Sequence, residues 1–234
     1  MTNIKAIAVD IDGTITDSHR RLCSSAMDAL RKAEKMGIPC VIVTGNVVNY
    51  AYACEVLVGT SGGVVCENGG GIFKENVNNN QVTYFGDLEE IKKAHQHVIE
   101  NIDPKYTLMP SHDNDYRLAE RVYYKTLDKS IVEDLVKDFN VKVYDSGFAI
   151  HITNPEIDKG NGLKKLLEYS NIDLSEVMAI GDGENDMEFL SPCGLKIAVA
   201  NADNELKEIA DYVCKNKYGD GVAEAIDKFV IKSN

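Results

Sequence analysis

Apolar and polar positions along this chain fall into blocks whose period changes from element to element. The run Ile4-Lys5-Ala6-Ile7-Ala8-Val9 is rich in Ile, Val and Ala and stops before Gly13, the pattern of a central strand in a parallel sheet. Ser25-Ala26-Met27-Asp28 resembles a capping box, helical periodicity follows to Met36, and Gly37 can end that helix. Pro39-Cys40-Val41-Ile42-Val43 reads as a second buried strand running into Thr44-Gly45-Asn46. A helix to about Val58 and a short strand, Val64-Val65-Cys66, come next. Strands that alternate with helices predict an α/β fold with a doubly wound, Rossmann-like parallel sheet.

The pattern changes after residue 66. Glu67-Asn68-Gly69-Gly70-Gly71 and Asn76 to Asn80 are turn signals that predict a hairpin leading out of the sheet. From Asp87 to Thr153 the chain reads as helix 88–101, strand 106–110, strand 121–125, helix 129–139, strand 141–145 and strand 148–153. An αββ unit twice over implies a small inserted α+β domain, an antiparallel sheet backed by two helices. The βα alternation resumes after Pro155, with a helix near Asp158-Lys159-Gly160. Val177-Met178-Ala179-Ile180 is a strand running into Gly181-Asp182-Gly183-Glu184-Asn185-Asp186, and Ile197-Ala198-Val199 is another, ending near Asn201. The expected organisation is a discontinuous core, 1–83 and 154–234, around an insertion at 84–153.

Composition narrows the class. The 234 residues suffice for a sizeable core, and a formal net charge of −12 supplies no basic footprint for nucleic acid. An anionic substrate must therefore be attracted locally, by a cation or by backbone N–H groups. Six cysteines without a Cys-x-x-Cys pair read as small core residues in a reducing compartment. No basic segment followed by an apolar run opens the sequence, and no apolar stretch approaches the roughly 20 residues that span a bilayer. The expectation is a soluble cytoplasmic protein with no membrane partner.

Candidate chemistry gathers at strand ends. Asp10 and Asp12 close the first strand, where open parallel sheets bind ligands. Two apart on an extended backbone, they would share a side and crowd like charges unless a cation intervenes. Asp182 follows a buried strand as Asp10 does, with Asp186 four residues on. Hard oxygen ligands suit Mg²⁺. Thr44 offers a hydroxyl and a backbone N–H, and Gly45 permits close backbone approach. Lys159 stands in the first turn of a helix, where the dipole disfavours positive charge, which suggests an anion nearby. Each cluster alone also reads as a polar turn, a helix cap or a surface lysine; their recurrence at one rim outweighs that reading.

Asp10-x-Asp12-Gly-Thr, Thr44-Gly-Asn, Lys159 and Gly181-Asp182-Gly-x-Asn185-Asp186 resemble the four ordered motifs of the haloacid dehalogenase superfamily of phosphatases. The insertion resembles the C2B-type cap of the Cof-like branch, and its compact αββαββ form is similar to that of archaeal-type phosphoglycolate phosphatases. Many relatives carry Thr-Gly-Arg where this chain has Asn46, so any role of that arginine is absent or supplied elsewhere. The resemblance implies that Asp10 is the nucleophile. Asp12 is implied as the acid and base, its backbone carbonyl helping to hold Mg²⁺. Asp10 and Asp182 would coordinate the ion, with Asp186 in the same cluster. Thr44, Gly45, Lys159 and Asn185 form the implied substrate-binding set. In the cap, Arg117, Arg121 and Lys125 are candidates for a substrate carboxylate, whereas His95 and His97 are expected to face solvent. The expected reaction is hydrolysis of a small phosphorylated metabolite, 2-phosphoglycolate; a sugar-phosphate phosphatase or a phosphomannomutase-like enzyme is the alternative. A receiver-like signalling module is disfavoured, because Asp12 would destroy a phospho-aspartate. A homodimer is left open.

Overall fold

The computed structural model describes residues 3–147 and 149–232, in two compact units. One comprises Met1–Thr83 with Asp158–Asn234, the other Tyr84–Ile157.

In the first unit, β1 (Ala6–Asp10) is buried along its whole length. It pairs in parallel with β2 (Cys40–Val43) and β9 (Val177–Gly181), which are buried throughout as well. With β3 (Val64–Cys66), β4 (Gly71–Phe73), β5 (Thr83–Tyr84), β10 (Leu195–Ala198) and β11 (Tyr212–Val213) they form one sheet in the order β11-β10-β9-β1-β2-β3-β4-β5. The register decides where the chemistry lies. Asp10 is level with Val43, and Val9 with Ile180, so Asp10, Thr44 and Asp182 leave adjacent strands at one carboxyl rim. The sheet is crossed by α1 (Ser24–Lys35), α2 (Val48–Val58), α5 (Lys159–Glu168), α6 (Met187–Leu190), α7 (Asn204–Ile209) and α8 (Tyr218–Ile226).

Two local expectations change here. Helix α1 starts at Ser24, and its N-cap position is Cys23 with no side-chain cap, so the Ser25–Asp28 capping box does not form. The hairpin after β3 does not leave the sheet: β4 pairs antiparallel with β3, Val64 opposite Phe73, and extends it. The turn between them holds Glu67, Asn68 and Gly69 at φ of 47°, 51° and 97°.

In the second unit, α3 (Leu88–Asn101) and α4 (Lys129–Val136) lay Ala94, Val98, Val132 and Val136 against Tyr123, Ile150 and Ile152 of a three-stranded antiparallel sheet. Its order is β6 (Glu120–Tyr124), β8 (Ala149–Thr153), β7 (Lys142–Asp145). Asp87 and Asp128 cap the two helices by accepting from Glu90 N and Ser130 N. The strand expected at 106–110 survives only as a bridge between Pro110 and Tyr123. A proline has no N–H to give a ladder, and a strand that ends on one pairs poorly. Helix α4 stops at Val136, three residues before its expected end. Phe148, the expected first residue of the last strand, lies outside the described residues.

Candidate active site

The site is built where β1, β2 and β9 end and α5 begins. Asp158, the residue before α5, accepts from Asn161 N at 2.7 Å and fixes the helix start, which places Lys159 in the first turn. Lys159 runs inward to only 1% exposure, and its Nζ donates to Asp10 Oδ1 at 2.9 Å and to Asp186 Oδ1 at 2.6 Å. Asp186 turns its other oxygen back onto its own loop, accepting from Asp182 N at 2.9 Å and Gly183 N at 3.0 Å. Asp182 accepts from Thr14 Oγ1 at 2.8 Å.

Asp10, Asp182 and Asp186 offer carboxylate oxygens that all lie within 4.8 Å of one another. That is close to the separation of opposite ligands on one small divalent ion, about 4 Å. Three acids against one lysine also leave an excess of negative charge in a buried place, so the donor set fits such an ion. Burial, then the charge of Asp186, pushes Asp10 well above the usual carboxylate range, with Lys159 opposing. Burial and Asp186 push Asp182 up to about 7. Burial alone would depress Lys159, but the carboxylates of Asp10 and Asp186 outweigh it and hold the ammonium charged.

Asp12 stands apart from this triad. The strand ends at Asp10, and Ile11–Ile15 forms a wide turn whose backbone is not helical at Asp12 (φ −79°, ψ 108°) or at Gly13 (φ 89°). The carboxylates of Asp10 and Asp12 meet different partners. Those of Asp12 are Arg20 Nε at 2.7 Å, Arg20 Nη2 at 3.3 Å and Asn46 Nδ2 at 2.7 Å. The turn also presses Gly13 against Asp182: a Cβ there would lie 2.2 Å from Asp182 Oδ2.

Thr44 is 1% exposed, and its hydroxyl accepts from Asn46 N and Nδ2, which leaves the hydroxyl proton to be donated. Its backbone N–H is spent on Val65 O at 2.9 Å, contrary to the sequence expectation that both groups are on offer. Gly45 sits under Asn68, whose amide would lie 2.8 Å from an added Cβ. Asn185 lies in the single turn Glu184–Asp186, half-buried beside the triad.

In the second unit the expected carboxylate ligands are engaged internally. Arg117 pairs with Asp113 at 2.7 Å and with Glu120, Arg121 Nη1 donates to the carbonyls of Arg117 and Glu120, and Lys125 pairs with Asp145. His95 does not simply face solvent: its Nδ1 lies 2.7 Å from Tyr123 Oη, and burial lowers its pKa.

Two residues escaped the sequence reading. Asn201 Nδ2 donates to Gly13 O at 2.9 Å and Asp182 Oδ2 at 3.4 Å, tying the end of β10 to the triad. Arg20 sits in the polar run Ser18-His19-Arg20-Arg21 and has nothing in its spacing to mark it. Its backbone is left-handed, φ 61°, which costs a residue with a Cβ about 1–2 kcal/mol. An ion pair between side chains 61% and 35% exposed returns on the order of 0.2–1 kcal/mol. The conformation belongs to the tight turn at Asp17–Arg21, which Asp17 N to Arg21 O and Arg20 N to Asp17 O close at 2.9 Å each. Arg20 Nη2 also donates to Asn46 Oδ1 at 3.4 Å, so a guanidinium stands where residue 46 itself lacks one.

Residues 7–118 and 112–226 match the sequence profile of the haloacid dehalogenase-like hydrolases. The chain belongs to this family. A Methanobrevibacter smithii protein named phosphoglycolate phosphatase is 55% identical to this haloacid dehalogenase-like hydrolase, over 98% of this chain and 100% of its own length. A Methanothermobacter thermautotrophicus protein of the same name is 46% identical over 97% of this chain and 99% of its own. The crystal structure of Thermoplasma acidophilum 0175 has a TM-score of 0.83 at 28% identity, covering 97% of this hydrolase and 98% of that chain.

Proposed function

We propose that this hydrolase is a Mg²⁺-dependent phosphomonoesterase that converts 2-phosphoglycolate and water to glycolate and phosphate. The observation that carries the reading is the triad of buried Asp10, half-buried Asp182 and buried Asp186, with Lys159 paired to Asp10 and Asp186. The names of the relatives 55% and 46% identical to this chain support the substrate.

In this reading a free oxygen of Asp10 attacks phosphorus in line as the bond to the ester oxygen breaks, and Asp12 gives that oxygen its proton. Water then attacks the phosphorus of the phospho-aspartate, Asp12 takes a proton from that water, and the bond from Asp10 to phosphorus breaks. Lys159 and the Thr44 hydroxyl hold the phosphoryl oxygens, with Gly45 giving room and Asn185 at the rim. Asp10, Asp182, Asp186 and the Asp12 carbonyl are the candidate ligands of Mg²⁺, which when bound supplies positive charge to the phosphoryl oxygens. Asp12 suits its double task because it hydrogen-bonds to Arg20 further along its own loop and to Asn46 beyond β2, not to the triad.

We also infer a cytoplasmic enzyme. All six cysteines are free. No helix among the described residues is long and apolar enough to cross a membrane.

The test is phosphate release from a panel of phosphomonoesters with Mg²⁺ and with EDTA. The expected result is a kcat/KM for 2-phosphoglycolate at least about tenfold above that for hexose phosphates, abolished by EDTA. A preference for hexose phosphates would overturn the substrate.

A further inference from the structure

The ion pair between Arg20 and Asp12 is a weak structural device, a contact between side chains 61% and 35% exposed. It is well placed for recognition. The net charge of −12 means that a doubly anionic substrate must find its cations locally. Among the described residues Lys159 and Arg20 hydrogen-bond the acids of the site, and Lys159, buried and shared between Asp10 and Asp186, is committed to the phosphoryl end. The cations of the second unit expected to take a carboxylate are engaged within it. Arg20 bonds Asp12 and Asn46 through Nε and Nη2, with its side chain 61% exposed. Its guanidinium carbon lies 5.8 Å from the centre of the Tyr50 ring, an aromatic face along which a cation can shift at little cost.

In the proposed reaction Asp12 addresses the ester oxygen, so a guanidinium 2.7 Å from Asp12 Oδ1 stands beside the first atoms of the leaving group. We propose that Arg20 recognises a carboxylate on the leaving group, trading its bond to Asp12 for a two-pronged bond to the substrate. The class recognised is the phosphate ester of a small 2-hydroxy acid, whose carboxylate carbon lies two bonds from the ester oxygen. Arrival of that carboxylate then frees Asp12 from its guanidinium. Asn46, donating to Asp12 Oδ2 at 2.7 Å, keeps the acid aimed while Arg20 moves. Specificity in this scheme comes from the loop after β1. The assignment rests on the phosphomonoesterase reading and adds to it the residue that selects the substrate.

The test compares 2-phosphoglycolate with ethyl phosphate, which replaces the carboxylate by a methyl group. In Arg20→Ala, kcat/KM for 2-phosphoglycolate is expected to fall about 10- to 100-fold, chiefly through KM, as for loss of a charge-assisted two-pronged bond. The fall for ethyl phosphate is expected to be at least about tenfold smaller, because the ester lacks the recognised group. Arg20→Lys should recover part of the loss, since it restores the charge without the planar fork. Arg20→Gln, measured in parallel, should behave as Arg20→Ala and guards against a folding defect in the alanine variant. Equal losses on both esters, or no loss on 2-phosphoglycolate, would overturn the role of Arg20 while leaving the phosphatase standing. Wild-type protein that releases phosphate from neither ester would overturn the 2-phosphoglycolate reading and this assignment with it.

Discussion

Lys159 shows how one buried cation joins the chemistry of a site to the stability of the fold around it. Its ammonium is almost inaccessible and divides its hydrogen bonds between Asp10 and Asp186. Removing one partner from such a group leaves like charges buried and unpaired, at a cost of about 3–5 kcal/mol. Lys159→Met is therefore expected to lower the free energy of unfolding by about that amount in denaturant titrations. Asp10→Asn should behave differently. The amide oxygen can still accept from Lys159 Nζ and the crowding with Asp186 and Asp182 is relieved, so stability should stay within about 1 kcal/mol. Turnover should nonetheless fall by roughly 10⁴-fold or more, as for loss of a nucleophile. Wild-type rates in Asp10→Asn would remove it from that role. Lys159, Asp10, Asp182 and Asp186 were legible in the sequence because each lies at a strand end or a helix start that hydrophobic periodicity marks. Arg20 and Asn201 were not, since their importance depends on which loops the sheet register brings together. The Thr44 N–H failed for a related reason: whether a strand-end amide is free depends on the partner strand, here Val65 O.

At the scale of elements, the turn Ile11–Ile15 couples β1 to the far side of the site. Gly13 takes φ 89° there, its carbonyl accepts from Asn201, and its α-carbon lies against Asp182. Gly13→Ala adds a methyl that only a shift of Asp182 can accommodate, away from its bonds to Thr14 and Asn201. The expected result is metal affinity about 10- to 100-fold weaker, the range seen when groups orienting a ligand are lost, measured by calorimetric titration. Gly37→Ala is the matched control, because Gly37 has φ 81° but nothing within 4 Å of the added methyl. It should cost about 1 kcal/mol of stability and leave metal affinity unchanged. Equal affinity loss in both would mean that backbone strain, not contact with Asp182, matters at Gly13. The elements themselves were largely readable: β1, β2, β3 and β9 are apolar runs, and α3 and α4 carry clean apolar stripes. The readings that failed, the capping box on α1 and a strand over 106–110, rested on short polar or proline-ended segments whose fate is settled by neighbours in space.

For the molecule as a whole, the triad makes stability, metal binding and pH one linked quantity. Asp10 and Asp182 have pKa values raised in the folded protein, Asp182 to about 7. A raised carboxylate binds protons more tightly folded than unfolded. Its contribution is therefore greatest below the unfolded value near 4 and is lost as pH rises toward the folded value. Without a divalent ion, the fold is thus expected to lose stability as pH rises above about 4, the part that comes from Asp182 being lost by about pH 7. A bound Mg²⁺ needs the same carboxylates ionised, so its binding must release protons over that range. Thermal unfolding with and without Mg²⁺ tests the linkage. The upward shift in Tm should be small near pH 5.5 and grow with pH through the range near 7 in which Asp182 titrates, with apparent affinity rising by up to about tenfold for each pH unit and each proton released. Asp182 titrates near 7, so Asp182→Asn should flatten that part of the profile as well as weaken the metal. An affinity constant from pH 5.5 to pH 8 would show that the ion, if it binds, does not bind to the carboxylates that burial holds protonated.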